Sequence, residues 1–573
     1  MIPKIIVNFL GILNRLDNKN RKRIHLQIIL SIFGAITDLM SVLSITYLMT
    51  FFTTSKIDND VNQSITFRIF KSFNSIDENF AVMVATFVIS LSILIRYAVL
   101  IHGIKVGNLI DYDLSKKLLK IFIDSPYEIQ KLRSLADSNV KLTSEVGRFV
   151  QGVVLPGINI PYLVFSTIMI TLFGFWAVGW IYIFIIILFF SILILFFLIK
   201  RSLLINIGNF RLSENEARYN IFTDTINGIV EITVYGLKSR YLKKYSNAHK
   251  NIVLSEIKSN KISLLPRFFV EIIFYAMVGC SALYIINSSH ESEYFLENFL
   301  VILASFIRLA PNVNSLYATS SVIVYNKSNI NSLSEQYLKL DDKDKKETLK
   351  IYQSNKNENI KQINIRNISF KYKESKRQIL NNISIKLSFG QLVAIRGETG
   401  SGKSTFVEVL LGLLTPTEGI NELYTLKSEK KISVGYVPQY PVFPNCNITE
   451  AISLSKKVTK SQKNRINQLL TDLHLLSAIE DLPKGFDTIL SNNANVLSGG
   501  QRQRLAIAKA LFLDSDVIIF DECTSALNAE IEKVVFRFIQ SRSAKKIMIF
   551  STHSQYIIDN CDDNYHIKNG ELI

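Results

Sequence analysis

The longest uncharged stretch of this sequence, residues 149–199, holds 51 residues without Asp, Glu, Lys or Arg. A helix that crosses a membrane needs about 20 apolar residues, so this stretch is long enough for two crossings. Its midpoint carries Trp176 and Trp180, the only tryptophans of the chain, and tryptophan favours the membrane–water interface. The stretch therefore predicts a membrane hairpin with spans at 149–176 and 178–199 and a turn outside the cytoplasm.

Four further apolar segments, at about 26–54, 80–104, 268–287 and 298–326, are each long enough to cross a membrane. Together with the hairpin they predict a transmembrane domain over residues 1–326 with six spans. The chain is 48% hydrophobic and 20% charged, with a mean hydropathy of +0.23. This balance is typical of membrane spans joined to a water-soluble domain.

The positions of the basic residues predict the orientation of the spans. The net charge is +17, which is compatible either with nucleic-acid binding or with basic loops beside a membrane. Lys and Arg concentrate at the N-terminus and in the connections 105–148 and 200–267, whereas the loop 288–297 has three Glu and neither Lys nor Arg. Cytoplasmic loops are the basic ones. We therefore expect no nucleic-acid partner and a C-terminal domain in the cytoplasm.

The two basic connections are too long for turns and predict helices that extend the spans, with turns at Ser125-Pro126 and Asn227-Gly228. Residues 327–360 are polar and dense in charge, which predicts a linker before a soluble domain at 361–573. The four cysteines are widely spaced and form no CxxC. This pattern predicts neither a disulfide framework nor a zinc site.

A phosphate-binding loop begins the soluble domain. The buried-strand pattern LVAI (392–395) is followed by a glycine-rich loop and then by an apolar helical pattern, the context in which this motif binds phosphates. Backbone amides and the helix N-terminus would hold the phosphates, Lys403 would reach the β- and γ-phosphates, and Ser404 would bind Mg²⁺. The predicted ATP-binding residues of the loop are Gly397, Glu398, Thr399, Gly400, Ser401, Gly402, Lys403, Ser404 and Thr405.

A second strand pattern, VIIF (517–520), ends in two carboxylates. Asp521 is placed to bind Mg²⁺ and Glu522 to orient the attacking water. Together with the phosphate-binding loop, this pattern predicts an α/β P-loop NTPase domain that uses ATP and Mg²⁺ and that follows the α-helical six-span transmembrane domain.

Between these motifs the sequence LSGGQRQR (497–504) resembles the signature of the ATP-binding-cassette family. The resemblance implies that Ser498, Gly499, Gly500 and Gln501 bind the nucleotide held by a partner subunit, so a homodimer with two shared sites is expected. Three further positions match family motifs in the same order: Tyr372 as the aromatic that stacks on adenine, Gln439 as the glutamine that senses Mg²⁺ and water, and His553 as the histidine that contacts the γ-phosphate. With Lys403 and Glu522, Gln439 and His553 form the expected catalytic set.

Two positions depart from the family pattern. The loop after Glu522 ends in Asn528, where the family usually has aspartate, and residues 491–495 lack the usual glutamate before the signature. Since Glu522 is present, we expect hydrolysis of ATP, with coupling between subunits tuned differently.

Six spans fused before the ATPase domain resemble the exporters of this family, which implies outward transport across the bacterial cytoplasmic (inner) membrane. Residues 265–271 (LPRFFVE) and 306–314 (FIRLAPNVN) resemble the lipid-linked oligosaccharide flippases of bacterial protein glycosylation. The resemblance implies flipping of an anionic lipid-linked glycan, and export of peptides, lipids or drugs is the alternative.

Four ionisable groups lie within or near the ends of the apolar spans: Asp38, Arg96, Glu271 and Arg308. An unpaired charge is costly inside a membrane, so each should face a wet cavity or another charge. Arg96 and Arg308 are the candidate substrate residues, because arginine binds phosphate through paired donors. For each group, an ion pair or a position at the end of a span is the alternative to substrate binding.

Overall fold

The computed structural model describes residues 17–54, 78–132, 145–287, 292–331, 362–372, 377–429, 432–490 and 496–573, with Gly11 and Ser375. These residues form two compact units. The first comprises residues 1–125 and 129–346, and the second comprises 126–128 and 347–573. The division falls inside the predicted linker at 327–360.

The first unit is helical throughout its described residues. Its helices are α1 (Asn18–Thr54), α2 (Glu78–Asp124), α3 (Tyr127–Leu132), α4 (Val146–Phe149), α5 (Leu155–Val178), α6 (Trp180–Asn227), α7 (Ile229–Val234), α8 (Lys238–Asn287) and α9 (Ser292–Tyr325), of which α3 begins in residues assigned to the second unit. A π-helical turn, Val150–Val154, joins α4 to α5. Such turns widen the helix by one residue per turn and occur at sites of close packing or function.

Five segments of the described residues are long and apolar enough to cross a membrane: Asn18–Met49, Asn79–Asp124, Val146–Val178, Tyr182–Asn227 and Asn298–Tyr325. The sixth predicted span, 268–287, is the C-terminal part of α8, and several of its side chains lie outside the described residues. Six crossings therefore remain a prediction.

The hairpin turn and the turns at Ser125-Pro126 and Asn227-Gly228 lie where the sequence predicts them. Gly179 separates α5 from α6 with φ of 86°, a left-handed conformation that glycine adopts without strain. Helix α2 ends just before Ser125-Pro126, and α6 ends at Asn227. The predicted loop at 288–297 is shorter than expected, because α9 already begins at Ser292. Serine and glutamate at this point are typical of a helix N-terminus.

The second unit is a layered α/β domain. Its strands are β1 (Gln362–Phe370), β2 (Leu380–Ser388), β3 (Leu392–Arg396), β4 (Glu418–Asn421), β5 (Val434–Val437), β6 (Cys446–Asn447), β7 (Ile489–Leu490), β8 (Val517–Asp521), β9 (Ile547–Ser551), β10 (Asp563–Lys568) and β11 (Glu571–Leu572). A six-stranded sheet has the order β11-β10-β3-β9-β8-β5, and an antiparallel sheet has the order β2-β1-β4. Strands β5, β8, β9, β3 and β10 are parallel, so their carboxyl ends share one edge.

The described residues of the second unit also form helices. They are α10 (Lys403–Leu410), α11 (Glu422–Ser428), α12 (Ile448–Ser453), α13 (Lys460–Asp472), α14 (Leu476–Glu480), α15 (Gly499–Phe512), α16 (Ala529–Gln540) and α17 (Gln555–Asp559). Strands β8 and β9 read as unbroken apolar runs because both of their faces are buried. Ligands of open parallel sheets bind at the carboxyl ends of the strands, and the predicted ATP-binding motifs follow β3, β8 and β9 at that edge.

Candidate nucleotide site

The phosphate-binding loop connects β3 to α10 through glycines that no other residue can replace without strain. Gly400 and Gly402 have φ of 83° and 105°, in the left-handed region that disfavours side chains. A side chain at Gly397 would place its Cβ 2.4 Å from the Ile567 carbonyl oxygen. Helix α10 begins at Lys403, so its free backbone amides face the loop, as anion binding requires.

The Lys403 ammonium is the point at which the catalytic set converges. The lysine is buried, and its Nζ donates to the Gly397 carbonyl oxygen at 2.6 Å. The same nitrogen contacts His553 Nε2 and lies 3.9 Å from Glu522 Oε1. Burial lowers the pKa of Lys403, and the nearby carboxylates of Glu522 and Asp521 oppose this shift.

Glu522 follows β8 in a conformation that its neighbours enforce. Its φ is 45°, which is unusual for a residue with a side chain and is typical of functional sites. Its backbone N–H donates to the Ser551 carbonyl oxygen of β9 at 2.8 Å. The Gln439 Nε2 donates to Glu522 Oε2 at 2.6 Å, and His553 Nε2 lies 3.5 Å from Oε1. The carboxylate is therefore fixed from two sides.

Asp521 occupies the last position of β8, half-buried beside Glu522. The Tyr436 hydroxyl donates to its Oδ2 at 3.2 Å. Burial raises the pKa of Asp521, and the nearby carboxylates of Glu522 and Glu408 raise it further. A carboxylate at a strand end is an oxygen ligand that suits a divalent cation.

The residues predicted to hold Mg²⁺ offer the hard oxygen atoms that this ion prefers. The Ser404 side chain is exposed, and Asp521 supplies a carboxylate. Gln439 commits its amide nitrogen to Glu522, which leaves its amide oxygen for a cation. No cluster of three His, Cys, Asp or Glu suited to a metal occurs among the described residues. The donor set thus fits an ion held jointly by protein and phosphate oxygens.

The signature residues begin helix α15. Ser498 is the N-cap and forms a capping box with Gln501: Ser498 N donates to Gln501 Oε1 at 2.7 Å, and Gln501 N donates to Ser498 Oγ at 3.3 Å. A Cβ on Gly500 would lie 2.9 Å from the Ala526 carbonyl oxygen. In the described part of the chain, none of these bonds reaches the phosphate-binding loop.

Tyr372 and Asn528 take ordinary structural positions. The Tyr372 ring meets the Phe370 ring edge-on, with 4.9 Å between centroids. Asn528 is the N-cap of α16, and its Oδ1 accepts from Ile531 N at 2.9 Å, a bond that aspartate would also make. The departure at 491–495 lies outside the described residues.

Gln503, which the sequence analysis did not single out, links the signature helix to the loop of Gln439 and to the loop after Glu522. Gln503 is buried, and its Nε2 donates to the Gln439 carbonyl oxygen at 3.3 Å and to Ser525 Oγ at 3.1 Å. Its Oε1 accepts from Ala526 N at 3.0 Å. Its place two residues after Gln501 was the available signal, because a long polar side chain in a helix that packs on the core requires partners.

A polar cluster also lies among the membrane helices. The buried Asp38 carboxylate on α1 accepts from the Tyr162 hydroxyl and, at 2.8 Å, from Ser166 Oγ on α5. Asn312 on α9 donates to Ser166 Oγ at 2.8 Å. The Arg96 guanidinium carbon lies 6.0 Å from the Tyr162 ring centroid.

Of the predicted membrane charges, three share this cluster. Arg308 interacts electrostatically with Tyr162, as does Arg96. Glu271 does not belong to it: this carboxylate is paired with Arg267 on the surface of α8 at 2.9 Å, which is the ion-pair alternative. Arg96 and Arg308 make no hydrogen bond or ion pair with any residue that the structure describes.

Comparison with known proteins supports both units. Residues 14–310 match the ABC transporter transmembrane region, and residues 380–525 match the ATP-binding domain of ABC transporters. A bacterial Atm1-family ABC exporter with ATP bound superposes with a TM-score of 0.76 and covers 97% of this chain and 95% of its own, at 18% identity. This likeness concerns the fold, and the predicted fold class is confirmed.

Curated relatives carry the names of exporters and flippases. The multidrug resistance-like ATP-binding protein MdlB of Buchnera aphidicola is 29% identical over 62% of this chain and 60% of its own. ATP-dependent lipid A-core flippases of Pseudoalteromonas translucida and Pasteurella multocida are 33% and 35% identical over 37% and 39% of this chain. The chain spans about two fifths to three fifths of the length of these relatives.

The transmembrane match alone covers more than half of the sequence. The chain belongs to the ABC transporter family of ATP-driven transporters.

Proposed function

We propose that this protein hydrolyses ATP to move an anionic lipid-linked oligosaccharide from the inner to the outer leaflet of the bacterial cytoplasmic membrane. The observation that carries the proposal is the pair Arg96 and Arg308. The Arg96 guanidinium lies beside the Tyr162 ring, Arg308 is near enough to interact electrostatically with Tyr162, and neither arginine has a hydrogen-bond acceptor in the described residues. An arginine without an ion pair at membrane depth calls for an anionic ligand.

The ATPase chemistry follows from the fixed positions of the catalytic set. Glu522 is held by Gln439 and His553, so its carboxylate is placed to accept a proton from an attacking water. Lys403 stabilises negative charge on the phosphates. Ser404, Gln439 and Asp521 would hold Mg²⁺, which would supply charge neutralisation at the phosphates.

A homodimer would bring the phosphate-binding loop of one subunit to the signature residues (498–501) of the other. The side chains of Ser498 and Gln501 form the capping box of α15. Other backbone amides at the N-terminus of this helix have no helical partner and can bind an anion. We propose that these amides bind the γ-phosphate held by the loop of the partner subunit. Binding of ATP would then bring two copies of this chain together.

A lipid substrate and its identity as a lipid-linked oligosaccharide rest on different observations. Several curated relatives are named lipid A-core flippases, which supports a lipid substrate. The oligosaccharide rests on the resemblance of residues 265–271 and 306–314 and on the two arginines. Export of peptides or drugs is the second candidate, favoured by the relative named multidrug resistance-like.

ATPase stimulation separates these candidates. The protein is placed in proteoliposomes and its ATPase rate is measured with undecaprenyl diphosphate that carries N-acetylglucosamine, with undecaprenol as the uncharged control, and with peptides and cationic dyes. The proposal predicts stimulation by the diphosphate only, with a loss of about tenfold or more in Arg96→Ala and Arg308→Ala. Stimulation by dyes or peptides, or unchanged stimulation in both variants, would contradict it.

A further inference from the structure

We propose that Asp38 and Tyr162 are positioning residues of the substrate site: Tyr162 supports the Arg96 guanidinium, and Asp38 both anchors the tyrosine and limits the positive charge that faces the ligand. This inference rests on the proposed function, since it concerns the same two arginines. Asp38 and Tyr162 do not themselves bind the ligand, but they affect both its binding and its release.

Four helices contribute to the arrangement. Asp38 lies on α1 and Arg96 on α2, Tyr162 and Ser166 lie one turn apart on α5, and Arg308 lies one turn before Asn312 on α9. Residues four apart share a helix face. The bond from Asn312 to Ser166 and the bond from Ser166 to Asp38 therefore tie the face of α9 that carries Arg308 to α1.

The tyrosine is held tightly enough to act as a support. Its side chain is 2% exposed, and its hydroxyl donates to Asp38. The ring lies over Gly34, where an added Cβ would come within 3.3 Å of two ring carbons. Gly34 lies one turn before Asp38 on α1. Its lack of a side chain leaves room for the Tyr162 ring, and the Asp38 carboxylate accepts the bond from the hydroxyl of the same side chain. The Arg96 guanidinium carbon lies 6.0 Å from the ring centroid, within the range of cation–π attraction.

Asp38 is more than a hydrogen-bond acceptor. The residue is 1% exposed, and its Oδ2 accepts both bonds while the equally buried Oδ1 has no hydrogen-bond partner in the described residues. A buried carboxylate is costly unless opposite charge lies near. Counted with Arg96 and Arg308, the Asp38 carboxylate makes the formal net charge of the three side chains +1 instead of +2. An anionic head group is then attracted, yet is released more easily than from two uncompensated arginines.

Replacement of Asp38 by asparagine separates these two roles. Asn keeps an oxygen that accepts from Tyr162 and Ser166, but it removes the negative charge. We expect Asp38→Asn to lower the concentration of undecaprenyl diphosphate-N-acetylglucosamine for half-maximal ATPase stimulation by about three- to tenfold. The maximal stimulated rate should fall by a similar factor, because release becomes slower.

Substitutions of Tyr162 test the support of Arg96. Tyr162→Leu removes the ring and should raise the half-maximal concentration by about threefold or more, whereas Tyr162→Phe keeps the ring and should have a smaller effect. Ser41→Ala is the matched control, since Ser41 is buried on the same helix and its hydroxyl donates to the Asp38 backbone oxygen and not to the carboxylate. Its half-maximal concentration should equal that of the wild type.

The outcomes distinguish this inference from the proposed function. If Arg96→Ala and Arg308→Ala keep full stimulation, the anionic substrate itself is wrong. If they lose stimulation while Asp38→Asn leaves both parameters unchanged or weakens binding, the role of Asp38 is overturned. Tyr162→Leu with wild-type parameters overturns the role of the ring. If Asp38→Asn fails to fold, Ser166→Ala replaces it, because this variant removes one hydrogen-bond donor from Asp38. The proposal would be overturned if Ser166→Ala and Tyr162→Leu both kept the wild-type half-maximal concentration and maximal rate.

Discussion

A buried ion pair in the first unit allows a prediction whose size follows from its geometry. Arg211 and Glu145 are each 1% exposed, and their Nη2 and Oε2 atoms are 3.5 Å apart. Arg211 also donates to Asn329 Oδ1 at 2.8 Å, and Asn215 donates to Glu145 Oε1 at 2.9 Å. At this distance two unit charges attract by about 5 kcal/mol at an effective dielectric constant of 20. Desolvation of two buried ions offsets most of this attraction.

Removal of one partner should therefore cost far more than removal of both. Glu145→Gln or Arg211→Met leaves an uncompensated buried charge and should lower the free energy of unfolding by about 3–5 kcal/mol. At about 2 °C per kcal/mol, the Tm of this unit falls by roughly 6–10 °C. The double variant should recover most of the loss, because no buried charge remains.

The two tryptophans make the measurement specific, because both lie in the first unit. Thermal unfolding in detergent is followed by tryptophan fluorescence for the wild type, both single variants and the double variant. Arg148→Met is the control: it breaks the more exposed pair with Glu256, at 3.1 Å, and should cost about 1 kcal/mol or less. Single variants no less stable than Arg148→Met, or a double variant at the sum of the single losses, would refute the reasoning.

Two further predictions concern the ATPase unit. Ser498→Ala and Thr459→Ala each remove the N-cap of a capping box, so each should lower the free energy of unfolding by about 1 kcal/mol. Only Ser498→Ala should reduce ATPase turnover. Equal turnover in the two variants would show that Ser498 does not belong to the nucleotide site. In Mg²⁺-free buffer, calorimetry of Asp521→Asn should show a raised Tm near pH 7, because the pKa of the buried Asp521 is raised in the folded state and its ionised form is disfavoured there. The gain should disappear as the pH falls and the wild-type carboxyl becomes protonated, and a gain independent of pH would contradict this explanation.

The sequence predicted features that depend on local pattern. Length and the absence of charge predicted the hairpin, whose turn lies at Gly179, and the glycine-rich loop before Lys403 predicted a phosphate-binding site, since phosphate binding requires these residue types at this spacing. The end of α6 at Asn227 likewise follows from turn chemistry.

Partners that are distant in sequence could not be predicted in this way. Asp38 and Arg96 stood out as membrane charges, but their link through Tyr162 depends on how helices α1, α2 and α5 pack. The buried pair of Arg211 and Glu145 gave no signal, because each residue lies in a polar stretch that reads as an exposed helix. Gln503 was similarly hidden, since its three partners come from two loops that are distant in sequence, one after β5 and one after β8.

The most direct test of the account is ATP-dependent movement of the lipid itself. Proteoliposomes are loaded with undecaprenyl diphosphate that carries a fluorescent N-acetylglucosamine, and transfer between leaflets is read by quenching from outside. The account predicts transfer that requires ATP and Mg²⁺ and that Glu522→Gln slows by about a hundredfold or more while ATP binding is retained. Transfer at the wild-type rate in Glu522→Gln, or no transfer by the wild type with ATP, would contradict it.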